Sequence, residues 1–234
     1  MSIAENVARV RAEISAAAAA AGRDPAEILL VAATKMNDAD RVREAIAAGV
    51  DVCGENRVQE MLEKNAQGAY AGAPLHFIGH LQKNKVRQVV GLASLIHGAD
   101  SAALLEAISR EAQKRGIRQD VLLEVNIGAE PSKSGFAPDE LPAALEAAAG
   151  YGGLFVRGLM AIPPICASPD ENRPFFLAMR KLFVDNGRKT YDNVSMDFLS
   201  MGMSGDFAEA IACGANMVRV GTAIFGPRDY HKQT

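Results

Sequence analysis

A chain of 234 residues is long for an ordinary domain and normal for an α/β barrel. Hydrophobic residues make up 49% of it, enough for a sizeable core, and the formal net charge of −3 gives no electrostatic reason to expect nucleic acid or an anionic membrane as partner. Three scattered cysteines, Cys53, Cys166 and Cys213, contain no Cys-x-x-Cys pair, which argues against a disulfide framework and for a reducing compartment.

The opening residues, Met1-Ser2-Ile3-Ala4-Glu5-Asn6, lack a basic segment followed by an apolar run, and no later stretch approaches a bilayer-spanning length. A cytoplasmic protein with no membrane association is expected. An amphipathic helix comes first, with Ile3, Val7, Val10 and Ile14 on one face, an alanine run to Ala21 and a stop at Gly22. Strand-like apolar runs then recur at Ile28–Ala33, Val50–Cys53, Leu75–Ile78, Leu95–His97, Val121–Val125, Leu154–Met160, Val194–Leu199 and Met217–Val220. Helical stripes lie between several of them: Val42 with Ile46 ending at Gly49, Val58 with Met61 and Leu62, Leu104 with Leu105 and Ile108, and Phe207 with Ile211 closed by Gly214. Strands alternating with helices specify a parallel sheet, and eight of them match a closed (β/α)8 barrel with an additional N-terminal helix. An open doubly wound sheet is the alternative, because the runs at 75–78 and 95–97 are short. No linker-like segment divides the chain, so residues 1–234 read as one α/β domain.

Lys35 ends the first of these buried runs, where a lysine rarely sits without a partner. At the carboxyl end of a barrel strand it would point into the mouth that carries the chemistry of α/β folds, as an amine able to form a Schiff base with an aldehyde. On this residue alone, a side chain snorkelling into solvent is the leading explanation. Met201-Gly202-Met203-Ser204-Gly205-Asp206 follows the seventh run and begins a helix that Ser204 could cap, with glycines that let backbone approach a ligand. Arg219-Val220-Gly221-Thr222 closes the eighth. Loops after strands 7 and 8 of such barrels are the usual phosphate site, so a phosphorylated ligand is favoured over two ordinary turns. Arg219 fits a structural ion pair and a ligand contact equally well. Asn56, in Gly54-Glu55-Asn56-Arg57, is expected first as a helix cap and second as a ligand contact. His76 and His80 lie four apart but lack the glutamate of a zinc helix, and Lys83, Lys85 and Arg87 read as a solvated helix face.

Taken together these segments resemble the pyridoxal phosphate homeostasis protein family (YggS/PROSC type) over essentially the whole chain. The resemblance is carried by Ala33-Thr34-Lys35, Gly54-Glu55-Asn56-Arg57-Val58-Gln59-Glu60, His76-Phe77-Ile78-Gly79-His80-Leu81-Gln82-Lys83-Asn84-Lys85, Gly158-Leu159-Met160-Ala161-Ile162-Pro163, Leu199 through Asp206, and Val218 through Gly226, in the family's order.

The resemblance implies a barrel related to the N-terminal domain of alanine racemases, with pyridoxal 5'-phosphate (PLP) as an internal aldimine on Lys35. It implies that Ser204, Gly205, Gly221 and Thr222 hold the phosphate, that Arg219 faces the pyridine nitrogen, and that Asn56 and Met203 lie close to the ring. An arginine there cannot accept the ring proton, which leaves the ring a weak electron sink. Alanine racemases draw a second acid/base tyrosine from a further β domain, and Tyr70, Tyr151, Tyr191 and Tyr230 have no matching placement. The expectation is therefore a monomeric protein that binds PLP and supplies it to PLP-dependent apoenzymes, acting in vitamin B6 homeostasis. A slow racemase for small amino acids is the alternative, and a barrel enzyme using Lys35 on a phosphorylated metabolite without PLP is a third.

Overall fold

In the computed structural model all eight apolar runs form parallel strands, and these close on themselves in chain order. They are β1 (Leu29–Ala33), β2 (Val52–Glu55), β3 (Leu75–Phe77), β4 (Leu95–Ala99), β5 (Gln119–Glu124), β6 (Leu154–Met160), β7 (Val194–Ser200) and β8 (Met217–Val220). Closure is made by β1 against β8, with Val31 opposite Arg219 and Ala32 opposite Val220. The barrel, rather than the open sheet, is thus the architecture. The structure describes residues 1–227 except Ile165, Ala167, Lys189 and Thr190, so Tyr230 lies outside the described residues.

The helices are α1 (Ile3–Ala20), α2 (Ala39–Ala47), α3 (Val58–Ala66), α4 (Val86–Val89), α5 (Ala102–Lys114), α6 (Leu141–Ala149), α7 (Arg173–Asn186), α8 (Phe207–Ala212) and α9 (Thr222–Phe225). Helix α1 starts on a reciprocal cap in which Ser2 Oγ accepts from the Glu5 N–H and Glu5 accepts from the Ser2 N–H. Its stripe of Ile3, Val7, Val10, Ile14 and Ala18 is buried and lies along α8 and α9. None of the described helices is long and apolar enough to cross a membrane.

Element limits differ from the sequence expectation in informative ways. Val50 belongs to the exit from α2, where its N–H donates to the Ala45 carbonyl, so β2 starts at Val52 and runs on through Gly54 and Glu55. Helices α6 and α7 give no clean apolar stripe in sequence. The first is mostly alanine, and the second exposes Leu177 and Val184 while burying Phe176 and Met179.

Strand alternation sorts the core into two compartments. Val31, Val52, Leu95, Leu122, Met160 and Met217 fill the lumen, whereas Leu30, Cys53, Phe77, Ile96, Val121 and Val218 face the helical shell. Counting in twos along each strand then predicts which later residues look inward. Gly54 is inward, and a Cβ there would meet Val31 Cγ1 at 2.8 Å and Ile78 Cδ1 at 2.9 Å. His76, His97, Glu124, Ser200 and Arg219 have the same inward parity, and they stack above the apolar layer.

Candidate functional site

The peptides around Lys35 are fixed from the shell side. Thr34 is buried, its N–H donates to the Gly54 carbonyl at 2.9 Å, and its hydroxyl donates to Glu55 Oε1 at 2.6 Å. Glu55 Oε1 also accepts from Lys64 Nζ at 2.6 Å and from the Tyr70 hydroxyl at 3.0 Å, all in the space between the end of β2 and α3. Lys64 Nζ donates further to the Thr34 carbonyl at 2.8 Å. A buried carboxylate is tolerable only with this many donors. Burial beside Glu55 pushes the Cys53 thiol up to about 12 and the Tyr70 phenol upward as well, so neither ionises near neutrality. After Lys35 the chain turns at Met36, whose φ is 61° and whose N–H donates to Glu60 Oε2 at 2.7 Å. The Asn37 amide donates to the Lys35 carbonyl at 3.0 Å.

Lys35 lines a cavity of about 460 Å³ together with Ala33, Met36, Glu60, Gly221 and Thr222. Its position follows from the closure of β1 on β8, which sets the loops after these two strands side by side. Gly221 packs against Ala33, where a Cβ at 221 would come into van der Waals contact with Ala33 Cβ at 3.4 Å. From the neighbouring loop, Ser204 Oγ accepts from the N–H groups of Gly221 at 3.1 Å and Ala223 at 3.3 Å. Ser204 therefore joins the loops after β7 and β8 and does not cap α8. The turn that carries it is braced by Asp206, whose Oδ1 accepts from the Met203 N–H at 2.6 Å and whose Oδ2 accepts from the Asn172 amide at 2.8 Å. Gly202, at φ 91°, passes so close to α8 that a Cβ would lie 2.6 Å from that of Ala210. Gly205 and Thr222 are exposed at the rim, as is Met203. The Ser204 and Thr222 hydroxyls, on loops joined through Ser204 Oγ, lie beside an amine, a set of groups suited to a phosphorylated aldehyde.

Below the mouth lies a buried polar column. Arg219 Nη1 donates to Ser200 Oγ at 2.6 Å and Nη2 to the Ala161 carbonyl at 3.0 Å. His97 Nδ1 is 3.1 Å from Ser200 Oγ, and His97 Nε2 is 3.0 Å from His76 Nδ1. Arginine only donates, so Ser200 Oγ accepts from it and keeps one proton and a second lone pair for the contact with His97 Nδ1. A neutral His97 protonated on either ring nitrogen completes a hydrogen-bonded chain from Ser200 to His76. Both histidines are neutral in this arrangement, and burial agrees: it pushes His76 down to about 4 and His97 well below its ordinary value. Desolvation lowers Arg219 to about 10, with Glu124 and Asp206 opposing, so the guanidinium remains charged at neutral pH.

Across the barrel from β1, Glu124 ends β5 and borders a second cavity of about 200 Å³ with His80, Lys133, Ser134 and Met160. Burial, reinforced by Asp100, raises the Glu124 carboxyl to about 7 against the pull of Arg219 and His80. His80 pairs with Asp100 at 2.8 Å, while His76 turns into the lumen, so the two histidines serve different environments.

Of the residues expected from sequence, Lys35, Gly221 and Thr222 share one cavity, Ser204 is bonded to the same loop, and Arg219 is fixed beneath. Asn56 is not a cap: Arg57 holds the N-cap position of α3 without a side-chain cap bond, and Asn56 Oδ1 is buried with no hydrogen-bond partner. The basic cluster is exposed at Lys83 and Arg87, on a 3-10 turn (Lys83–Lys85) and the short α4. Sequence reasoning passed over His97, Ser200 and Glu124. Each takes its role from its inward parity, which becomes readable only once barrel closure fixes which strand face is the lumen.

Residues 5–229 match the family described as alanine racemase, N-terminal domain. A pyridoxal phosphate homeostasis protein of Pseudomonas aeruginosa is 44% identical over 97% of this chain and 96% of its own, and one of Aquifex aeolicus is 41% identical over 98% and 100%. Among solved structures, PipY of Synechococcus elongatus with PLP bound superposes with a TM-score of 0.83 at 34% identity, covering 96% of this chain and 100% of its own. An alanine racemase of Clostridium difficile shares the fold at a TM-score of 0.69 and 15% identity, with 97% of this chain covering 58% of the enzyme.

Proposed function

This chain belongs to the alanine racemase N-terminal domain family and, within it, to the pyridoxal phosphate homeostasis proteins, and we propose that it binds PLP reversibly through Lys35 and passes it to PLP-dependent apoenzymes. One observation carries the proposal: Lys35 and the Gly221–Thr222 loop surround a single cavity. Ser204, Gly205, Gly221 and Thr222 are assigned to the phosphate, Arg219 to the pyridine nitrogen, and Asn56 and Met203 to the neighbourhood of the ring. The orphan Oδ1 of Asn56 is an acceptor awaiting a donor. When bound, PLP supplies an aldehyde for a lysine amine and an electron-accepting ring.

The residues around that ring favour holding over turnover. Arg219 offers only donors, and its bonds to Ser200 and Ala161 keep it in place. It provides no acceptor that would keep a ring nitrogen protonated. Tyr70 is committed to Glu55 in the shell. The test is spectroscopic: the wild-type protein given PLP should show an absorbance band that free PLP lacks and that Lys35→Ala abolishes. If that band survives the substitution, the assignment of Lys35 is wrong. Inversion of amino acids followed by circular dichroism, at rates well above those of free PLP and lost in Lys35→Ala, would instead establish the racemase alternative.

A further inference from the structure

Met36, immediately after Lys35, and Ala129 are the two non-glycine residues with positive φ among those described. A left-handed conformation is costly for a residue with a Cβ and persists only where its surroundings hold it. At Met36 the Asn37 N–H closes a turn on the Thr34 carbonyl at 3.2 Å, and the side-chain restraint is Glu60 on α3, which accepts the Met36 N–H at 2.7 Å. Glu60 is in turn flanked on its own helix by Arg57 Nη1 at 3.4 Å and Lys64 Nζ at 3.6 Å. Lys64 also grips the residue before Lys35, through the Thr34 carbonyl at 2.8 Å. The peptides on both sides of the lysine are therefore tied to one helix, and Glu60 lines the same cavity as Lys35.

We infer that Glu60 is a positioning residue for Lys35, setting the direction of the lysine by holding Met36 in its left-handed turn. This rests on the covalent role of Lys35 proposed above. Glu60 acts through the backbone, by accepting the Met36 N–H. Its function is geometric, so a group that accepts the same hydrogen bond without charge should replace it, and a residue at position 36 that needs no restraint should make it dispensable. Glycine adopts φ near 60° at no steric cost.

The experiment measures PLP affinity and the pH midpoint of the Lys35-dependent absorbance band in the full-length protein, with thermal melts alongside. Glu60→Ala should weaken affinity on the order of tenfold, the size expected when one strained residue is released, and should move the band's pH midpoint. Glu60→Gln, whose amide oxygen can still accept from Met36, should stay within about twofold of wild type on the same scale. Met36→Gly combined with Glu60→Ala should return affinity and midpoint to within about twofold. A purely structural role for Glu60 would not be rescued at the midpoint by a glycine at position 36, three residues beyond the end of β1. The inference is overturned if Glu60→Ala binds as wild type, if Glu60→Gln is as impaired as Glu60→Ala, or if the glycine gives no recovery. Absence of a Lys35-dependent band in the wild type is a distinct result: it removes the covalent role and this inference with it.

Discussion

Replacing Glu124 by glutamine should remove a stability loss that the wild-type protein suffers as pH rises. The carboxyl is raised from 4.5 to about 7, first by burial and then by Asp100, while Arg219 and His80 pull the other way. The charged groups facing it come from four places: Asp100 after β4, His80 after β3, Arg219 on β8 and Lys133 in the loop after β5. A raised carboxyl pKa means that the folded protein still holds a proton which the unfolded chain has released. Stability therefore falls as pH climbs through the window from 4.5 to about 7. The shift corresponds to about 3 kcal/mol as an upper bound, all of it felt by about pH 8. The buried histidines run in the opposite sense, because His76 is lowered from 6.5 to about 4 and loses stability as pH falls through that range. They are common to both proteins and cancel in the difference. For a chain of this size, melts of wild type and Glu124→Gln should therefore diverge by up to about 10 °C between pH 5 and pH 8, in favour of the variant at high pH. A difference in melting temperature that is the same at every pH would refute the assignment of a buried, titrating Glu124.

Lys64→Met should cost about 3–5 kcal/mol in urea denaturation, because it leaves the fully buried Glu55 carboxylate without its cation. Adding Glu55→Leu should recover most of that loss, and a double variant no better than Lys64→Met would contradict the pairing. Ser200→Ala should lower stability by about 1–3 kcal/mol, since it strips an acceptor from Arg219 and a hydrogen-bond partner from His97 inside the lumen. Threonine at position 200 keeps the hydroxyl and should retain most of the stability, so equal loss in both variants would argue for packing rather than hydrogen bonding.

The eight strands were legible because a parallel sheet covered on both faces leaves continuous apolar runs. The same continuity hid the site's support. In Leu95–Ala99 nothing distinguishes Ile96, which faces the shell, from Leu95 and His97, which face the lumen, until the barrel's closure sets the parity. Local motif chemistry misled in the same way at Ser204 and Asn56. Each has the composition of a cap, but Ser204 bonds across to the loop after β8, and Asn56 is left with an unpaired oxygen. Lys35 was legible as a strand-end amine, yet its restraints were not, since Glu55, Glu60, Lys64 and Tyr70 read as ordinary surface and helix residues before α3 is placed against β2.

Thr34 and Lys35 are adjacent in the chain but belong to opposite sides of the barrel wall. Thr34 continues the outward parity of Leu30 and Ala32, and it is bonded to Gly54 and Glu55 at the end of β2. Lys35 has the inward parity of Val31 and Ala33 and reaches the cavity at the mouth. A slip of one residue between β1 and β2 would exchange them, sending the lysine into the apolar shell and the threonine to the cavity. A buried Glu55–Lys64 pair is weak as a source of stability, because desolvation offsets much of its attraction. Its specificity is a different matter, since only Thr34, of the residues near this strand end, presents both a hydroxyl to Glu55 and a carbonyl to Lys64. The charged network in the shell thus favours the register that puts an amine, and not a hydroxyl, beside the Gly221–Thr222 loop.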